Sequence, residues 1–488
     1  MLLAIDGWER LLLYLFTLFS MILSFLRVLV YGPFLFTSNE EVKERVPRFI
    51  PVLNLLLCAG LAGFSLGLTA RILNNEPVQI PIPIDRVIGL SGILSDDPRA
   101  FNDGRGMGSL GITQVTADAG LRVSGRGRIT VFFPAEAIPG LRDFGRGSEI
   151  YVEGTMIRRE NDFLFRASGV YILKPAPGLE QFRTGFRLAV MEKFRIDNRQ
   201  GNAPVWGGLA SALLLGIRDN LDSDLTSAFV NAGCSHVLAL SGMHLAILSS
   251  VIALVLHLFM GIKPASLIGA IFIVIYIFLA GAQPSLVRAG IMFLLGTLAL
   301  WGYLKKNPLS ILAIAFIIQI FIQKDSGTSV SFILSYLALI GILVTGKTIH
   351  ELLRGRIPEI LNQGFSASLG AIIATAAVTA YYFGVLRPIG IIASLIITPL
   401  ASIFMILAFG TLVLISFFPI LFEPLSNVLG LLYRLIEIVV YQAGRVPGLK
   451  TPNFIIILIV SLSLVFFLEY LKHRDRIYRS SIASFDDN

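Results

Sequence analysis

The sequence predicts a polytopic α-helical membrane protein of about 11 spans, with a small soluble β-barrel domain inserted among them. Three observations carry that prediction. Of 488 residues, 55% are apolar and only 15% charged, whereas soluble domains carry about 25% charged residues. The apolar residues gather in repeated runs of about twenty, the length at which a helix crosses a bilayer. Between residues 78 and 175 that texture breaks, and short β-prone stretches replace the long runs. A water-soluble globule of this size is thereby excluded. The 45 glycines are scattered through apolar runs, where lipid-embedded helices use them for close packing. Cys58 and Cys234 lie far apart, so they supply neither a disulfide framework nor a zinc pattern.

A net charge of +8 invites a nucleic-acid partner until it is located along the chain. Residues 1–77 and 176–235 each hold six acids and six bases, and residues 78–175 hold eleven acids and twelve bases. The remaining +7 comes from residues 236–488, where sixteen bases face nine acids. The excess therefore belongs to membrane loops, where the positive-inside rule accounts for it.

The N-terminal stretch carries Asp6, Glu9 and Arg10 before its apolar run and has no A-x-A site after it, so it is not read as a cleavable signal peptide. Residues 1–77 instead hold two membrane segments, at 11–31 and 50–70. In 78–175, VIGLSGIL, RITVFF, EIYVEGTMI and FLFRASGVYIL alternate with turn-rich clusters. About five short strands in that length suggest a small barrel of OB-like type. Residues 176–235 are expected to be interfacial: an amphipathic stretch at 180–200, then APVWGGLASALLLG, too short to span and read as re-entrant or interfacial. Asp222 and Ser223 can cap the short helix that follows. Nine further spans fill 236–472, and residues 473–488 form a tail. If the β-domain lies outside, ten loop and tail bases fall inside and four outside, which puts the tail in the cytoplasm.

The densest polar cluster is HVLALSGMH, His236 to His244. Ser241 and His244 are i,i+3 and share a helix face, so a serine–histidine dyad is one reading. Close helix packing at Ser241-Gly242, with histidines lining a polar interface, is the other. In AGAQPSLVRAG, Pro284 opens a helix and Arg288 lies one turn on, inside an apolar run where an arginine faces a cavity, a partner or water. Gln319 and Gln323 are one turn apart; Arg434 and Glu437 are i,i+3 and can neutralise each other. Pro399 interrupts a long run. In the β-domain Arg126, Arg128 and Phe132 are expected on one strand face, and Tyr151, Phe163 and Phe165 offer further rings, a composition suited to single strands. No metal-ligand spacing, cofactor motif or phosphate-cradling loop is visible, so an ATP-driven motor would be a separate chain.

LLLGIRDNLDSDLTSAFVNAGCSHVLALSGMHLAIL (213–248) strongly resembles the competence domain of the ComEC family, inner-membrane channel proteins of bacterial DNA uptake. FLAGAQPSLVRAGIM, SVSFILSYLALIGIL and AYYFGVLRPIGIIASLIITPLA look like later family motifs in the same order. Ile333 and Ser394 depart from the family's frequent Gln and Asn. The metallo-β-lactamase-like domain of many members has no counterpart before Asn488, so nuclease activity is not carried over. The resemblance implies a channel for inward passage of single-stranded DNA in natural transformation. It implies no enzyme activity and no cofactor. His236, Ser241, Gly242, His244, Pro284 and Arg288 would line or gate the pathway, and Arg126, Arg128, Phe132 and Tyr151 would contact DNA. Expected partners are single-stranded DNA, membrane lipid, a separate DNA receptor, nuclease and motor, and further copies of the chain. Transport of another anionic polymer or solute, and intramembrane proteolysis, are the alternatives.

Overall fold

The computed structural model describes residue 78 and residues 80–486, apart from 102–103, 119, 160–161, 195–203, 219, 303–306, 324–328 and 451–453. The two spans expected before residue 78 lie outside the described residues.

Five long strands build the barrel of the soluble domain, β1 (Val87–Leu94), β2 (Gly106–Ala117), β3 (Arg128–Phe133), β4 (Glu149–Arg159) and β5 (Asp162–Lys174), and two short ones, Arg99–Ala100 and Arg122–Ser124, pair along β2. β1 pairs antiparallel with both β2 and β4, β2 with β3, and β4 with β5. The circle closes through a parallel contact of β3 with β5, Val131 opposite Phe165. Helix α1 (Ile138–Phe144) sits between β3 and β4. A closed five-stranded barrel in this order is the OB fold. Alternation makes it: in RITVFF, Ile129, Val131 and Phe133 point inward and are buried while Arg128, Thr130 and Phe132 face out. Leu90, Leu110, Val131, Ile150, Val152 and Phe165 form a core with no exposed surface.

β2 is the strand that apolar patterning does not announce, because Gly106, Gly108 and Gly111 read as turn residues. Here they are spacers. A β-carbon on Gly106 would lie 2.3 Å from Ile138 of α1, and one on Gly108 3.1 Å from the Phe133 ring.

Helix α2 (Gly178–Lys193) leads from barrel to membrane core. Its face toward protein carries Arg183, Thr184 and Val190, while Leu179 and Phe182 are exposed. All nine residues of α3 (Gly207–Leu215) are buried, so this short apolar helix is enclosed by protein rather than laid along an interface. It is followed by α4 (Ser223–Asn231), capped by the Asp222 carboxylate accepting from the Asp224 N–H at 3.1 Å, and by α5 (Ser235–Leu238).

Among the described residues, eight helices are long and apolar enough to cross a membrane, and one more, α9 (Pro308–Ile322), is shorter. The eight are α6 (Gly242–Met260), α7 (Ile262–Ala280), α8 (Pro284–Trp301), α10 (Val330–Leu353), α11 (Glu359–Phe383), α12 (Gly390–Phe417), α13 (Phe422–Gly444) and α14, which runs from Phe454 to Asp486. In the smaller compact unit, to which residues 306–335 belong, Gln319 donates to Gln323 at 3.0 Å along one helix. In the larger unit, α12 continues unbroken through Pro399. α10 and α11 meet backbone to backbone: a β-carbon on Gly341 would lie 2.3 Å from the Gly370 carbonyl oxygen. At that crossing α10 widens into a π turn, Ile342–Gly346. Beyond it, the Thr348 hydroxyl donates to Glu469 of α14 at 2.6 Å, and Glu351 pairs with Lys472 at 2.8 Å.

Candidate functional site

The site assembles around the start of α6. Leu215-Gly216 ends α3 in a left-handed turn: Gly216 has φ +70, its N–H reaches Ala212, and the Ile217 N–H reaches Ser211, an αL-type close that favours glycine. A β-carbon there would also sit 2.6 Å from Leu240 and 3.0 Å from Gln283. Gly233, at φ +72, makes the turn from α4 to α5 and lies against Gly390 at the head of α12. Arg387 donates to the Asn231 carbonyl at 3.1 Å and so caps the end of α4. Cys234 is buried with its sulfur 3.5 Å from the Ser394 hydroxyl, and burial raises its thiol pKa.

Ser241 is the N-cap of α6 and His244 its third residue, and the two form a reciprocal capping box. The Ser241 N–H donates to His244 Nδ1 at 3.1 Å, and the Ser241 hydroxyl lies 3.0 Å from the same nitrogen. Because an N–H donates into Nδ1, that atom carries the lone pair and the ring proton of the neutral imidazole sits on Nε2. His244 is 1% exposed, and among the described residues its Nε2 has no hydrogen-bond partner.

Gly242 permits the next contact. A β-carbon on it would lie 2.9 Å from the Ala289 methyl and 3.3 Å from Arg288 Nη2, so α6 starts directly against α8. Pro284 occupies the first turn of α8, where its fixed φ and missing N–H cost nothing. The Ser285 hydroxyl donates to the Leu240 carbonyl at 2.6 Å, tying the two helix starts together. Arg288 is buried, with its guanidinium 5.6 Å from the centre of the Tyr336 ring, a cation–π contact. The Tyr276 hydroxyl donates to the Leu214 carbonyl at 2.8 Å.

Ser241, Gly242, His244, Pro284 and Arg288 are thus neighbours; His236, an exposed residue, stands just before them on α5. Ser285, within AGAQPSLVRAG, and Tyr336, within SVSFILSYLALIGIL, join them, and Tyr276 holds the end of α3 nearby with no sequence signal beyond an aromatic in an apolar run.

In the barrel the four expected contact residues do not share one face. Arg128 and Phe132 point outward from β3, where Phe132 pairs in register with Arg166 of β5. Arg126 precedes that strand and is set apart by Gly127 at φ +113. Tyr151 belongs to β4, with its ring stacked on Tyr171 at 6.1 Å between centres. Phe165 is core, and Phe163 packs against the core.

Barrel and helices together define a polytopic membrane protein whose apolar core is preceded by an OB domain. Residues 213–474, more than half of the chain, match the family described as competence protein, and the chain belongs to that family. An uncharacterised protein of Aquifex aeolicus (strain VF5) is 26% identical over 317 residues, 64% of this chain and 70% of that one. ComE operon protein 3 of Bacillus subtilis (strain 168) is 24% identical over 173 residues, 34% of this chain and 21% of that protein.

Proposed function

We propose that the protein passes single-stranded DNA inward across the bacterial inner membrane during natural transformation, with the barrel outside and the C-terminal tail in the cytoplasm. The family match over the membrane core is the observation that carries this reading. The OB barrel immediately before it supports the same reading, since that fold commonly holds oligonucleotides. The ten-to-four distribution of loop bases supports the orientation. A receptor, a nuclease and an ATP-driven motor are the partners this reading calls for.

We read the His236, Ser241, Gly242, His244, Pro284 and Arg288 group as wall or gate, not as a catalytic centre. The Ser241 N–H already donates into His244 Nδ1, so the lone pair that would take the hydroxyl proton of a nucleophile is engaged by the helix cap. His244 Nε2–H and the Arg288 guanidinium are buried here, and would offer a phosphate brief, releasable contacts only once the wall opens. On the barrel, Arg128, Phe132 and Arg166 form the face best suited to a strand, charge beside ring.

The test is to delete the gene and follow labelled DNA into the cytoplasm, scoring surface binding separately. Internalisation is expected to stop while surface binding persists. Unchanged internalisation overturns the channel reading, and transport of another polymer or solute then takes its place.

A further inference from the structure

α13 is a membrane-spanning helix with three faces. Phe422, Leu429, Tyr433, Ile436 and Val440 are packed inside the protein. Val428, Leu431, Leu435 and Ile438 are apolar and exposed, the composition of a surface toward lipid. Between these two faces runs a third: Glu423, Asn427, Gly430, Arg434, Glu437 and Tyr441. At 3.6 residues per turn these six fall within an arc of about 80°, a polar line along nearly the whole helix.

A charge at mid-helix is costly against hydrocarbon and by default faces water or protein. Arg434 is exposed and Glu437 half-buried, and among the described residues no ion pair joins the two. Beside them lies a cavity of about 370 Å³, walled by Gly208, Asn220, Asp222, Tyr433, Arg434 and Glu437. At ~30 Å³ each, that is room for on the order of ten waters. Asn220 Nδ2 is buried without a hydrogen-bond partner among the described residues, a deficit that water in this cavity would make good. A β-carbon on Gly208 would lie 2.1 Å from the Asn220 carbonyl oxygen, so the loop rests on α3 and holds Asn220 in the wall.

We propose that the polar line of α13 borders a water-filled path through the membrane core, and that the cavity beside Arg434 and Glu437 is a station on it. The lining is mixed in charge: Asp222 and Glu437 oppose Arg434, so a hydrated solute would pass without being held by one sign of charge. The inference deepens the transport reading, yet its test needs no DNA, so the two fail separately.

The test is thiol accessibility in the full chain. Cys58 and Cys234 are replaced by Ser and Ala, and single cysteines are placed at Asn427, Arg434, Glu437 and Tyr441, or at Val428, Leu431, Leu435 and Ile438. Opened membranes are treated with a charged methanethiosulfonate, then with a lipid-permeant maleimide. Cysteines on the polar line should react on the order of tenfold faster than those on the apolar face, because the reactive thiolate forms where water reaches it. Equal, slow reaction on both faces overturns the proposal. So do oxidative cross-links between two copies at polar-line positions, which would make this face a subunit contact. Asn427→Cys and Tyr441→Cys leave both charges in place and keep the comparison if the charged positions do not tolerate replacement.

Discussion

Asp97, on the loop after β1, and Arg183, buried on α2, bind each other across 86 residues of sequence. Arg187, one turn further along α2, reaches the same carboxylate oxygen, and the Arg146 N–H donates to the other at 3.0 Å. Glu180 in turn holds Arg183 at 2.8 Å. The barrel is therefore joined to α2 by the shared Asp97 carboxylate and, beside it, by Arg146 pairing with Glu180 at 3.7 Å.

Desolvation raises the Asp97 pKa, but Arg187, Arg183 and the Arg146 N–H together outweigh it and leave it below the ordinary carboxylate value. A depressed folded-state pKa contributes stability that is fully present above the unfolded value and is lost as pH falls through the folded one. Asp97→Asn should cost about 1–3 kcal/mol at neutral pH. Melting of the detergent-solubilised chain should show a gap between wild type and variant that is constant near neutrality and shrinks only in acid, below the usual carboxylate range. A gap that closes between pH 8 and 6 would point to another group.

Ser241→Ala should cost about 1 kcal/mol, the worth of an N-cap, and reduce DNA entry only in proportion to the folded protein lost. Ser241→Asn, which caps a helix but is no nucleophile, should restore both melting temperature and DNA entry. Restored stability with no DNA entry would return the hydroxyl to a chemical role.

Removing the Arg288 charge and the Tyr336 ring should be non-additive. Arg288→Ala and Tyr336→Leu are each expected to destabilise the chain, with a coupling of about 0.5–2 kcal/mol in a double-mutant cycle. Tyr336→Phe keeps the ring and should behave nearly as wild type. Additivity within about 0.3 kcal/mol would mean that the contact contributes nothing.

On the barrel, Arg128→Ala and Arg166→Ala should each weaken single-stranded DNA binding to the reconstituted chain and flatten its salt dependence by about one unit of slope. Phe132→Ala should cost about 1–3 kcal/mol with the slope unchanged. Wild-type affinity in all three would move any DNA contact to another face.

Long apolar runs mark the membrane helices openly, and short β-prone stretches between turn-rich clusters mark β1, β3, β4 and β5. What stayed hidden had other causes. β2 was masked by glycines that exist because α1 and Phe133 press on it, a tertiary demand invisible in a propensity. Within the site, HVLALSGMH could be read as dyad or packing element, and the capping box became visible only with the backbone turn at Ser241. Arg126, Arg128 and Phe132 looked like one face by spacing; Gly127 at φ +113 breaks the alternation that the inference assumed. Tyr336 and Arg288 are 48 residues apart in sequence, and no local pattern could pair them.

The π turn at Ile342–Gly346 has a consequence for the register of α10. Such a turn accommodates one more residue than an α turn, so everything after it is rotated by about 100° relative to an uninterrupted α-helix. That rotation is what aims Thr348 at Glu469 and Glu351 at Lys472. Shortening the turn by one residue would therefore swing Thr348 and Glu351 away from α14, and would also move Gly346 off Gly370 and Ser366 of α11, so one deletion loosens α10 from both of its neighbours.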